Sequence, residues 1–145
     1  MIIISDAEFQ YLLKLEKKLV DIDEIKIGPP PQKWTRKIES LDRTQSFLLD
    51  YRRGVLEVAR YTWNGRYRQT VIMLRYDSRG MHTNPDGARI SGPHFHLYKE
   101  GYGTKFAYPP QDYGIDPDAD MTDICKQVLG FFSVVQVPNI QATMY

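Results

Sequence analysis

The stretch Gly92-Pro93-His94-Phe95-His96-Leu97-Tyr98 decides how the rest of the chain is read. Its alternation is strict: His94, His96 and Tyr98 fall on one face of a strand, and Phe95 and Leu97 on the other. Same-face neighbours stand about 6.6 Å apart at a strand's rise of ~3.3 Å per residue. Two of the three histidines in the protein therefore point the same way, while the apolar residues between them anchor the strand in a core. Gly101 and Gly103 then turn the chain, and Lys105–Tyr108 pairs back.

Upstream the pattern remains β. Arg36–Leu41 reads as a first, edge strand. Phe47, Leu49 and Tyr51 alternate with Leu48, Asp50 and Arg52, and Arg53-Gly54 turns the chain into Val55–Thr62. Asn64-Gly65 is the strongest short hairpin signal, because both residues tolerate positive φ. It leads into Arg66–Tyr76 and then a long polar loop, Asp77 to Gly92. A two-residue turn at Asn64-Gly65 sets Trp63 opposite Arg66 and Tyr61 opposite Arg68. Leu56, Val58, Val71 and Met73 then form the core face, together with Phe47, Leu49 and Tyr51. With one continuous sheet and no bulge, His94, His96 and Tyr98 share the open face with Arg66, Arg68, Glu57, Tyr61 and Trp63.

Helices are expected at both ends. Ser5 and Glu8 form a capping box, and Phe9, Leu12, Leu13 and Leu19 mark the inward face of a helix over about 6–20. Lys14, Lys17 and Lys18 read as its solvated side. The prolines of 28–31 make a stiff connector. Asp120 or Thr122 caps a helix over about 120–132, with Ile124, Val128, Leu129 and Phe132 inward, and Val134 to Val137 adds a short strand or a packed tail. The expected fold is α+β: a single domain over 1–145, with one antiparallel sheet of five or six strands over about 36–108 and one helix before and one after it.

Composition narrows the function classes. The 145 residues are 42% hydrophobic, enough for a real core. The net charge of +1 gives no global field, so any nucleic-acid site is a local patch. A lone cysteine, Cys125, excludes an internal disulfide and reads as a small buried hydrophobe in a reducing compartment. No apolar run reaches the ~18 residues of a membrane span, so a cytoplasmic protein without membrane contact is expected. A CxxC pair and a Gly-rich phosphate loop are absent, the acidic loop 112–120 reads as solvated, and His82 reads as an exposed turn residue.

Three chemistries fit the open face. In metal-independent phosphodiester cleavage one histidine takes the 2′-hydroxyl proton, another protonates the leaving oxygen, and an arginine stabilises the phosphorane. On this reading His94, His96, Arg68 and Tyr98 are catalytic, with His96 as base, and Arg66, Tyr61 and Tyr108 hold substrate. A metal site needs a third ligand, from Asp77, His82 or Glu100; no metal or other cofactor is expected. The third chemistry is binding alone, with arginine and aromatic anchors.

The stretch Pro93 to Tyr98, followed by Glu100-Gly101-Tyr102-Gly103 and Phe106-Ala107-Tyr108-Pro109, resembles an uncharacterised group of small bacterial and phage-borne proteins. Tyr67-Arg68-Gln69-Thr70 resembles it too, and the likeness covers roughly residues 45 to 135. More distantly, the order of elements is similar to TumE-type toxins of toxin–antitoxin modules, where Asp77, His94, His96 and Tyr108 find counterparts. The loop before the histidines is longer here, and the N-terminal helix is additional. The resemblance implies a toxin-like RNA-cleaving protein of mobile-element origin. Its partners would be RNA or a protein, either an antitoxin or a host defence protein. The alternative is a non-enzymatic phage anti-defence inhibitor that binds a host nuclease or its nucleic acid.

Overall fold

The computed structural model describes residues 3–20, 22, 24–55 and 60–142. Helix α1 (Asp6–Lys14) is followed by strands β1 (Lys17–Leu19), β2 (Glu24–Ile27), β3 (Gln32–Ser40), β4 (Ser46–Arg53), β5 (Tyr61–Tyr67), β6 (Val71–Asp77), β7 (Met81–Thr83), β8 (Arg89–Ser91), β9 (His94–Leu97) and β10 (Ala107–Tyr108). A 3-10 turn at Pro110–Tyr113, helix α2 (Met121–Phe131) and strands β11 (Val134–Gln136) and β12 (Asn139–Ala142) complete the chain. The class is α+β, as the sequence predicts. The main sheet is larger than expected: eight strands in the order β10-β9-β6-β5-β4-β3-β1-β11. Its pairs are antiparallel except β1 with β11. β2–β12 and β7–β8 form two small sheets.

Both helices contribute to the core on one side of the main sheet. Ser5 caps α1 through the expected box with Glu8, and Phe9, Leu12 and Leu13 are buried. Asp120 caps α2, and Ile124, Cys125, Val128 and Leu129 join the same core. Phe132 meets Phe47 edge-on at 5.5 Å, and Phe131 meets Phe95 at 5.0 Å. Such aromatic pairs add roughly 0.5–1.5 kcal/mol beyond the area they bury.

Three expectations are corrected. The first helix ends at Lys14 rather than near 20, because Lys17–Leu19 is captured as a strand between β3 and β11. Sheet pairing outweighs helix propensity in so short a segment. Lys17 is consequently buried rather than solvated. Its Nζ donates to the carbonyls of Leu12, Leu13, Leu15 and Phe132 at 2.6–3.1 Å and lies over the rings of Phe47 and Phe132. One ammonium thus closes the C-terminal ends of both helices. Burial pulls its pKa down to about 7.

The third correction concerns register. Asn64-Gly65 makes no turn; it lies inside β5, and the hairpin loop is Arg68-Gln69-Thr70, with Tyr67 paired to Val71. A Cβ on Gly65 would stand 3.1 Å from Leu74 Cγ and 3.2 Å from Phe132 Cε2, so this glycine permits close approach rather than a turn. The ladder also shifts between Gly65 and Arg66, leaving Met73 as an extra residue in β6. That bulge lets Val71, Met73, Leu74 and Tyr76 all be buried. Of the expected strand Val55–Thr62, positions 56–59, which include Leu56, Glu57 and Val58, lie outside the described residues.

Candidate functional site

The face of the main sheet away from the helices is polar. Cross-strand pairing lines up Lys33, Arg52, Thr62, Asp77 and His94 in one row over five strands. Thr35, Asp50, Asn64, Arg75 and His96 form the next. Within the second row Asp50 accepts from Thr35, Asn64 and both sides of the Arg66 fork, at 2.6–2.9 Å. Burial pushes the Asp50 carboxyl up, but these bonds outweigh it and hold its pKa below the usual carboxylate range. Beyond Thr62 the face opens into a groove of about 760 Å³ lined in part by Lys33, Arg52 and Arg60.

At the other end of the two rows the histidines converge on Asp77. Oδ2 of Asp77 lies 3.3 Å from His94 Nε2, 3.3 Å from His96 Nε2 and 3.1 Å from Arg75 Nε. Its Oδ1 accepts from Thr62. Burial pushes the Asp77 carboxyl up, but His94, His96, the Arg75 charge and Thr62 together hold it far below its ordinary pKa. The side chains of Asp77, His94 and His96 are almost fully buried, whereas that of Arg75 is 38% exposed and forms the outer surface of the cluster.

Hydrogen bonding holds the two rings alike, each by Nδ1 on a backbone carbonyl with Nε2 facing inward. His96 Nδ1 is 2.8 Å from the Thr104 carbonyl and must donate to it. Its Nε2 stands 3.1 Å from Arg75 Nη2 and 3.3 Å from Asp77 Oδ2. His94 Nδ1 likewise donates to the Gly92 carbonyl at 2.9 Å, and its Nε2 faces the Asp77 carboxylate. That contact is attractive when Nε2 also carries a proton. Burial pulls the His94 pKa down, and the bonds to Asp77 and Gly92 outweigh it and raise it. The cluster thus holds two inward-facing imidazoles around a single carboxylate, and imidazole is the side chain that can give or take a proton near neutrality.

The match to a family of unknown function, DUF6978, runs from residue 4 to residue 137. The chain belongs to that family. No curated protein and no solved structure shows a significant match to this DUF6978 member.

The positions expected to act together separate into two groups. His94 and His96 share a face, with Phe95 and Leu97 buried, and Arg66 lies on that face, committed to Asp50. Arg68 sits in the hairpin loop at φ 54°, with its guanidinium over the Tyr67 ring. It lies four residues beyond Asn64, the row partner of Arg75, or roughly 13 Å along a strand. Tyr61 and Trp63 belong to the core face, the reverse of their expected placement, because β5 does not turn at Asn64-Gly65. Tyr98 bonds the Ile4 backbone through its hydroxyl and packs on Phe9. Tyr108 pairs with Phe95, on the opposite face from His96, and contacts Tyr113.

Two participants were not legible as such. In the sequence Arg75 is one residue of the strand Arg66–Tyr76, and the bulge at Met73 is what turns it to the histidine face. His82, read as an exposed turn residue, lies on β7, and the β7–β8 hairpin folds it over the site. Its ring centroid is 4.7 Å from that of His96, and its Nε2 donates to the Lys105 carbonyl. All three histidines of the chain therefore gather in one place. Of the three possible third metal ligands, Asp77 is the one brought to His94 and His96.

Proposed function

We propose that this protein cleaves RNA by metal-independent transphosphorylation on the open sheet face. The observation that carries the reading is the pair of imidazoles whose Nε2 atoms both stand 3.3 Å from one oxygen of Asp77, beside Arg75 and next to Thr62, the nearest lining residue of a cationic groove. His96 Nε2 takes the 2′-hydroxyl proton as the 2′-oxygen attacks phosphorus. The bond from phosphorus to the 5′-oxygen breaks, and that oxygen leaves with the proton from His94 Nε2. The products are a 2′,3′-cyclic phosphate and a 5′-hydroxyl, and proton exchange with water resets the pair.

Arg75 takes the role expected of Arg68. A guanidinium fork matches phosphate geometry, and this one can exchange His96 for a phosphate oxygen by a side-chain rotation at the surface. Asp77 holds both rings and stabilises the imidazolium. Lys33, Arg52 and Arg60 supply phosphate contacts along the groove, which set register and make binding salt-dependent.

The test is incubation of purified protein with end-labelled RNA in the presence of a chelator, beside a His96→Ala control prepared identically. Fragments ending in 2′,3′-cyclic phosphate, absent with the control, support the reading. If wild-type protein leaves RNA intact but retains it on a filter, the binding-only inhibitor replaces the nuclease.

A further inference from the structure

We propose that Asp77 Oδ2, His94 Nε2 and His96 Nε2 bind one divalent transition-metal ion of the zinc class, and that metal binding and RNA cleavage exclude one another. The second half rests on the acid–base reading above; the first stands on geometry alone. Zinc holds imidazole nitrogen and carboxylate oxygen at about 2.0–2.2 Å in a tetrahedron, so neighbouring ligand atoms stand roughly 3.3–3.5 Å apart. Both nitrogen-to-oxygen separations here are 3.3 Å, and all three atoms lie within 4.8 Å of one another.

The rings are oriented as ligands are. Each Nδ1–H is spent on a backbone carbonyl, Gly92 for His94 and Thr104 for His96. This leaves Nε2 facing inward on both, the arrangement that fixes the tautomer of a metal-bound histidine. Two imidazoles and one carboxylate suit zinc, nickel or cobalt and not magnesium or calcium, which take oxygen. The protein already places a cation against these atoms: the Arg75 guanidinium, at 3.1 Å from both Asp77 and His96. A metal ion displaces it. The partly exposed arginine swings outward, leaving the fourth position open. With both Nε2 lone pairs bound, the site has neither base nor acid for cleavage, so the metal acts as a switch.

The experiment titrates metal-stripped full-length protein with zinc chloride by calorimetry and with cobalt(II) chloride by visible absorption. One ion per chain and the intense bands of tetrahedral cobalt are expected, and no uptake by the wild type overturns the site. Because changing a buried histidine can unfold the chain, Arg75→Gln carries the decisive comparison. Removing a charge next to the ion should tighten zinc binding roughly tenfold or more, and unchanged affinity in a folded Arg75→Gln protein overturns the assignment. RNA cleavage is measured on the same samples. Zinc uptake without cleavage by the metal-free chain removes the nuclease reading and keeps the metal site; cleavage without zinc uptake does the reverse. Cleavage undiminished at one bound zinc per chain overturns the switch.

Discussion

Arg75 and His96 are partners twice over: they pair across β6 and β9, and the guanidinium Nη2 stands 3.1 Å from the imidazole Nε2. Backbone register therefore delivers the arginine to the ring. Removing one preorganised charge stabiliser costs roughly 10²–10³ in kcat, so Arg75→Ala should slow RNA cleavage by about that factor. Arg75→Lys should recover little of it, since a point charge does not reproduce the fork. Single-turnover rates on labelled RNA measure both.

His96→Ala should lower cleavage roughly 10²–10⁴-fold, the usual contribution of general base catalysis, measured on protein that circular dichroism shows to be folded. Arg68→Lys serves as the contrast, because its loop position keeps it away from the histidines. Its rate should match the wild type. A loss comparable to that of His96→Ala would bring the hairpin loop back into the site.

The Asp50–Arg66 fork predicts an acid limb of stability. Asp50 has its pKa lowered on folding, so its contribution is complete above the ordinary carboxylate pKa of about 4 and is lost as pH falls below that through the depressed value. Between pH 5 and pH 2.5 the melting temperature of wild type should therefore fall further than that of Asp50→Asn. Parallel curves in differential scanning fluorimetry would show that the fork does not couple to folding.

Lys17→Met should be strongly destabilising although it exchanges a charge for an apolar side chain of similar length. Four carbonyl groups lose their donor, and a buried unsatisfied acceptor costs roughly 1–3 kcal/mol. With partial rehydration the loss should be about 3 kcal/mol or more, or roughly 10 °C in melting temperature for a chain of this size. Urea denaturation gives the free energy directly.

Gly65→Ala should destabilise by about 1–3 kcal/mol, the usual range for overpacking, because its methyl group would press on Leu74 and Phe132. If Gly65 acted by conformational freedom instead, Gly65→Ala would be harmless here, where its φ is not positive. The shift in urea midpoint at constant slope separates the two.

That glycine also marks where the sequence stopped being legible. The histidine strand, the N-caps of both helices and the core positions Phe47, Leu49, Phe95, Leu129 and Phe132 follow from local periodicity and capping, and these are where the sequence puts them. Asn64-Gly65 carries the same local signature whether it turns a hairpin or makes room for Phe132, a residue 67 positions further on by number. The Met73 bulge leaves no local trace either, yet it decides that Arg75 rather than an upstream arginine meets the histidines. The burial of Lys17 has no local signal for a related reason: the strand formed by Lys17–Leu19 exists through partners in β3 and β11.

Lys17 also sets when folding can finish during synthesis. Its contact with Phe132 spans 115 residues, which a ribosome adds in roughly 6–23 s at 5–20 residues per second. Until then β1 has no outer neighbour and the lysine has only the carbonyls of its own helix. The β1 edge of the sheet can therefore close only after residues 132–136 have been made.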